Sequence, residues 1–238
     1  MNWLNVKHIF LKELRSFFNS PVAYVVIIVY LIFLGYLFTN SLFLYGQSTL
    51  RTVFDTSEFL LLFFAPAMTM RLISEEKKSG TLELLVTKPV TEFEIILGKF
   101  LSAWALFFFT LLPTLCYYFT VASIGSLDLG VVIGGYVGLM LLGAVFLALS
   151  LFCSSLTENQ IIAVIVSFGI VFMLWFIDKV LMYLPASLAS IIEYLGVDYH
   201  FSNIARGVID SRDIIYYISA IGFSLYMGTA VLEKRRWS

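Results

Sequence analysis

Charge is what this chain has least of. Only 13% of its 238 residues are Asp, Glu, Lys or Arg, against 60% hydrophobic and 17% aromatic, and the mean hydropathy is +0.93. Water-soluble domains hold about 25% charged residues, so the deficit excludes a soluble globular enzyme and calls for a protein whose solvent is lipid. Cysteine is equally scarce. Cys116 and Cys153 both fall inside apolar runs, which excludes a disulfide framework and makes both expected small core residues. There are two histidines, no Cys/His metal cluster and no nucleophile–base pair. A phosphate-binding glycine loop ending in Gly-Lys-Ser or Gly-Lys-Thr is missing too, so the chain has no means of cradling a nucleotide by itself. Its basic residues flank apolar runs instead of forming a patch, which excludes nucleic acid as a partner.

What is present is a series of long apolar runs. A membrane span needs about 20 mainly apolar residues to cross a ~30 Å hydrocarbon core. Six runs meet that length: residues 22–42, 52–73, 96–122, 129–153, 161–184 and 214–232. The second is the weakest, since its first turns carry Arg51, Asp55 and Glu58. The first run begins only at Val22 and no small-residue cleavage pattern follows it, so it is expected to stay in the membrane. Six spans put both termini on one side. That side holds eleven of the Lys and Arg residues and the other holds four, namely Arg51, Lys179, Arg206 and Arg212. The positive-inside rule then predicts cytoplasmic termini.

Residues 1–20 read as an amphipathic helix. Trp3, Val6, Phe10, Leu14 and Phe17 recur at steps of three and four, with Lys7, Lys12, Arg15 and Asn19 mostly off that stripe. A basic helix of this kind lies in the headgroup layer; the alternative is a plain helix packed on the bundle. Ser20-Pro21 supplies a cap and a first-turn proline for the first span.

One dense charged block interrupts the apolar pattern, between the second and third runs. Its residues Glu75-Glu76-x-x-x-Gly80-Thr81-x-Glu83-x-Leu85, then Thr87-x-Pro89-Val90 and Gly98-Lys99, resemble the signature of ABC-2 type transporter permeases. A second stretch supports this: His200-Phe201, Arg206-Gly207-Val208-Ile209-Asp210, Asp213, Tyr216-Tyr217 and the ending Leu232-Glu233-x-Arg235-Arg236-Trp237. It is similar to a subgroup that includes the gliding-motility-associated permeases. The resemblance implies an all-α integral membrane protein of six transmembrane helices with an N-terminal amphipathic interfacial helix. It implies a single domain over residues 1–238, with the amphipathic helix at 1–20, a cytoplasmic coupling loop at 74–95 and an external re-entrant segment at 185–213.

The same resemblance implies partners: a cytoplasmic ABC ATPase that binds the ATP and magnesium, and a second permease-like subunit, identical or related. No cofactor is expected in this chain. A coupling helix would dock on the ATPase through Glu75, Glu76, Gly80, Thr81, Glu83, Leu84, Leu85 and Pro89. Ser79-Gly80-Thr81 suits a tight turn, Thr81 and Glu83 a helix start, and Leu82, Leu84 and Leu85 apolar anchoring. Glu75 and Glu76 would meet basic groups of the partner or stiffen the exit from the second span. The alternative is an ordinary solvated loop.

Arg51, Asp55 and Glu58 lie at i, i+4 and i+7, on one helical face. They are expected either to line the external mouth of a translocation path, with Arg51 and Asp55 paired, or to sit at headgroup level. Pro66 and Pro113 are hinge candidates. Gly134-x-x-x-Gly138 predicts close helix packing within the chain. Asp198, His200 and Asp210 have no paired spacing that would favour a metal. ATP-driven export is the function these features imply; the other reading is a membrane-embedded coupler that passes ATPase motion to an external partner while no solute crosses.

Overall fold

The computed structural model describes residues 2–45, 49–82, 89–125, 127–180, 194–208 and 210–236. All secondary structure among them is helical. Helix α1 (Trp3–Asn19) precedes α2 (Pro21–Tyr45) and α3 (Arg51–Lys78). The third span is built from α4 (Glu92–Leu111), a 3₁₀ turn (Leu112–Thr114) and α5 (Leu115–Ile124). Then follow α6 (Leu129–Leu156), α7 (Gln160–Val180), the short α8 (Val197–Ala205) and α9 (Ser211–Arg236). Six helical segments are long and apolar enough to cross a membrane: Pro21–Phe43, Arg51–Lys78, Glu92–Ile124, Leu129–Leu156, Gln160–Val180 and Ser211–Lys234. Each coincides with one of the six apolar runs. The part of the fifth run beyond Val180 lies outside the described residues, as do Glu83, Leu84, Leu85, Thr87, Lys88 and Ile209.

Local chemistry sets the helix ends. Asn2 caps α1 by accepting from the Leu4 amide at 3.1 Å, and Asp128 caps α6 by accepting from Gly130 at 2.8 Å. Ser20 accepts from the Val22 amide at 3.3 Å where the chain turns from α1 into α2. The start of α4 is a capping box, in which Thr91 accepts from the Glu94 amide and Glu94 accepts from that of Thr91, both at 3.3 Å. The two proline expectations separate. Helix α3 runs unbroken through Pro66, whereas Pro113 sits in the 3₁₀ turn that interrupts the third span.

The centre of the bundle is α6, which packs against α3, α4, α7, α8 and α9. In its most apolar window 72% of residues are buried, against 22% for α2 and 17% for α7, so α6 is interior and the other two are peripheral. The peripheral helices turn Ile28, Ile32, Phe33, Ile165, Met173 and Phe176 outward, as lipid-facing helices must. Cysteine follows the same division. Cys153 is buried as expected, but Cys116 on α5 is exposed and free, because α5 lies at the edge of the bundle.

Glycine lets α8 seat on α6. A Cβ at Gly134 would stand 2.3 Å from the Ile204 carbonyl oxygen, and one at Gly138 would stand 3.1 Å from the Phe201 ring. The small-xxx-small pair is therefore intramolecular packing, as its spacing implies. Helix α1 is amphipathic, but its buried residues are Val6, Ile9, Glu13 and Phe17. Of the expected apolar stripe, Val6 and Phe17 enter the bundle, while Trp3 is exposed and Phe10 and Leu14 are half-buried. The sequence stripe straddles two surfaces because the helix packs along α4 and not flat on an open interface.

The seat at Gly134 gives a test. Gly134→Ala places its methyl against backbone and is expected to cost about 1–3 kcal/mol, read as a lower Tm in detergent. Gly169→Ala, where nothing lies within 4 Å of the new methyl, should leave Tm unchanged or raise it slightly, since alanine is the better helix former.

Candidate functional site

A charge cluster at the end of the bundle that holds α1 is built around Lys99. This side chain is 1% exposed, and its ammonium has three partners. It donates to Glu13 Oε1 on α1 at 3.1 Å and to the Leu72 carbonyl of α3 at 2.8 Å, and it forms an ion pair with Glu76 Oε1 on α3 at 2.9 Å. Lys12, on the solvent side, meets the same two carboxylates at 3.3 and 3.4 Å. Desolvation lowers the Lys12 pKa, but Glu13 and Glu76 outweigh it and hold the group above its ordinary value. Two ammoniums and two carboxylates thus close a neutral set across three helices.

The geometry that admits this set begins one residue earlier. A Cβ at Gly98 would stand 2.8 Å from Ile9, so α1 crosses α4 directly over Gly98 and brings Glu13 within reach of Lys99. Further contacts hold α1 in place. Asn5 Nδ2 donates to Glu94 Oε2 at 2.9 Å and to the Pro89 carbonyl at 3.2 Å, and the Asn2 amide donates to Glu94 Oε1 at 2.5 Å. Arg71 of α3 lies over the Phe17 ring at 5.6 Å and donates to Ser20 Oγ at 3.4 Å. The end of α3 is also bonded to the end of α6. Ser154 Oγ donates to the Met70 carbonyl at 2.8 Å and accepts from the Ser74 amide at 3.2 Å, and Lys77 donates to the Ser155 carbonyl.

Beyond Lys78 the chain turns sharply. Gly80 has φ of +70°, in the left-handed region that glycine enters without cost. Ser79 Oγ donates to the Glu75 carbonyl at 2.8 Å and meets Thr81 Oγ1 at 2.9 Å. This places the expected coupling residues in three groups. Glu75, Thr81 and Pro89 are exposed at this end of the bundle. Glu76 turns inward to Lys99, and Leu82 is buried in the core, so neither presents its side chain outward. Glu83, Leu84 and Leu85 lie outside the described residues.

At the opposite end, Arg51 and Asp55 are exposed and no ion pair joins them among the described residues. Glu58 is 4% exposed, with Asp198 and Lys179 as its charged neighbours. Lys179 pairs with Asp198 at 2.5 Å, and the Asp198 amide donates to Asp178 Oδ2 at 2.9 Å. His200 is buried against Asp213 Oδ1 at 2.6 Å and stacks on Tyr216 at 4.0 Å. Asp210 accepts from the Arg212 amide at 2.9 Å. Asp198, His200 and Asp210 therefore serve three separate contacts and do not converge.

Residues 8–206 match the profile of the ABC-2 family transporter protein family. The chain belongs to that family. No curated protein matches it. Members are membrane subunits of ATP-binding cassette transporters, so this chain works in the membrane with an ABC ATPase. For an ABC-2 subunit the Lys99 cluster has an informative place, because it joins both helices that border the charged block. Glu13 and the inward role of Glu76 escaped the sequence reading. The signal was an ionisable residue inside an apolar run, since Lys99 sits eight residues into the third span and must find a partner there. The Thr91-x-x-Glu94 pattern equally announces the capped start of α4.

The cluster is expected to behave as a buried salt bridge does. Lys99→Met strands Glu13 and Glu76 and should cost about 3–5 kcal/mol, whereas Lys99→Met combined with Glu13→Gln and Glu76→Gln should recover much of it. Thermal unfolding in detergent compares the two; equal losses would contradict the pairing.

Proposed function

We propose that this ABC-2 subunit couples ATP hydrolysis by a separate cytoplasmic ATPase to export across a bacterial inner membrane, with both termini cytoplasmic and with ATP and magnesium held by the ATPase alone. The supporting observation is the Lys99 cluster, which ties α1, the end of α3 and the start of α4 into one unit around residues 79–91. A turn gripped by a moving ATPase then pulls on α3 and α4 together and carries α1 with them. Docking falls to Glu75, Gly80, Thr81, Glu83, Leu84, Leu85 and Pro89. Glu76 contributes from inside, by stiffening the exit from the second span.

In this reading Arg51, Asp55 and Glu58 form the external mouth of the path, and the segment around α8 caps it. Gly134 and Gly138 let α8 press into the bundle, which supports a cap fixed to α6. The His200–Asp213 pair and the aromatic stack of Tyr216 gather several residues of the second signature into one external cluster. Together with the chain ending, that signature supports a place among the gliding-motility-associated permeases, where a second, related membrane subunit completes the dimer. A homodimeric exporter is the other arrangement.

The docking assignment is tested at the turn. Proline fixes φ near −65°, incompatible with the +70° of Gly80. Gly80→Pro and Glu83→Lys are each expected to leave membrane insertion intact and to abolish recovery of the ATPase in a mild-detergent pull-down. Undiminished recovery with both variants would overturn the assignment.

A further inference from the structure

Outside the bundle, α1, α4 and α6 enclose a groove of about 840 Å³. Three residues of the sequence stripe, Trp3, Val6 and Phe10, line it together with Ala105 of α4 and Val137 of α6. Lys7 is the one charged residue on its wall. The polar atoms of two other wall residues are already engaged: Trp104 Nε1 donates to the Met140 carbonyl at 3.0 Å, and Tyr136 Oη meets Thr114 Oγ1 at 3.1 Å. A second groove of about 430 Å³ shares Phe108, Tyr136, Val137 and Met140 with the first and continues along the third and fourth spans to Leu115 of α5 and Leu129 of α6.

We infer that a phospholipid of the cytoplasmic leaflet occupies this groove, its phosphate at Lys7 and one acyl chain laid against Ala105 and Val137. The lining has the polarity of a lipid, with a cation and an interfacial tryptophan at one end and only apolar surface below. Lysine on an amphipathic helix at headgroup depth favours anionic lipid. A protein helix fits less well. Close helix approach in membranes uses small residues, whereas this wall is dominated by Trp104, Phe108, Tyr136 and Met140. An acyl chain conforms to such an uneven surface. Seated there, the lipid packs in the angle between α1 and α4 and helps hold α1 on α4. The inference does not rest on ATPase docking, because it is read on the isolated chain.

The test uses nanodiscs of equal parts phosphatidylcholine and phosphatidylglycerol. The chain is re-extracted in mild detergent, washed, and its bound phospholipid is weighed by native mass spectrometry. Wild type is expected to retain phospholipid enriched in phosphatidylglycerol. Ala105→Trp should retain about tenfold less, the loss expected when two methylenes are denied burial. Lys7→Glu alters only an exposed residue and should abolish the phosphatidylglycerol enrichment, so the inference stays testable even where the tryptophan variant fails to insert. Unchanged enrichment in Lys7→Glu would overturn it, as would full lipid retention in Ala105→Trp. A tryptophan variant that keeps its lipid but loses self-association would assign the groove to a second subunit instead.

Discussion

A lysine ammonium removed from water costs several kcal/mol unless its charge and all its donors are met. Lys99 meets that demand only if three groups are in place at once: Glu13 from α1, and Glu76 and the Leu72 carbonyl from the last turns of α3. No one of these can leave without stranding a buried charge. The other contacts at this end of the bundle follow from this one. Gly98 clears the crossing of α1, Glu94 holds the start of that helix, Arg71 holds its end, and Ser154 fastens α3 to the central α6.

The consequence is mechanical. Helices α3 and α4 are the limbs on either side of the turn at Gly80, and both are bonded to α1 and, through α3, to α6. Between the two ends the bundle is held mainly by apolar packing, with single hydrogen bonds such as that from Trp104 to the Met140 carbonyl, while the opposite end has its own polar contacts at Lys179–Asp198 and His200–Asp213. The third span even carries its own break at Pro113. In the proposed reading, a polar end joined to apolar packing along the spans turns a push at this end into a change among them. It also accounts for a chain so poor in charge keeping two acids and two lysines together at this one place.

Much of the fold was legible in the sequence because lipid imposes a simple rule. Spans must be long, apolar and helical, so six runs could be read by length alone, and the small-residue spacing of Gly134 and Gly138 foretold a close seat on α6. The turn at Gly80 was legible for a similar reason, since few residues tolerate positive φ. The site was read only in part. Glu75 and Glu76 are adjacent and alike in sequence, but a helix turns them about 100° apart, so that one meets water and the other meets Lys99. Periodicity also could not assign the stripe of α1, because Trp3 and Phe10 face an outer groove, Phe17 enters the core, and Val6 is buried where the two surfaces meet. Arg51 and Asp55 lie one turn apart on one face, yet exposure leaves little gain from pairing them. Which acid finds which cation depends on where α1 crosses α4, and that information lies in the steric gap at Gly98 rather than in any local pattern.

The central claim is that α1 and the start of α4 move as one body. The most direct measurement places spin labels at exposed Arg15 on α1 and Phe93 on α4, in the assembled transporter, and follows their separation by pulsed electron resonance with and without ATP. The account predicts one narrow distance that does not change with nucleotide, broadening only when Lys99 is replaced by methionine. A distance that shifts with ATP in the unaltered cluster would mean that α1 moves independently of α4, and would contradict it.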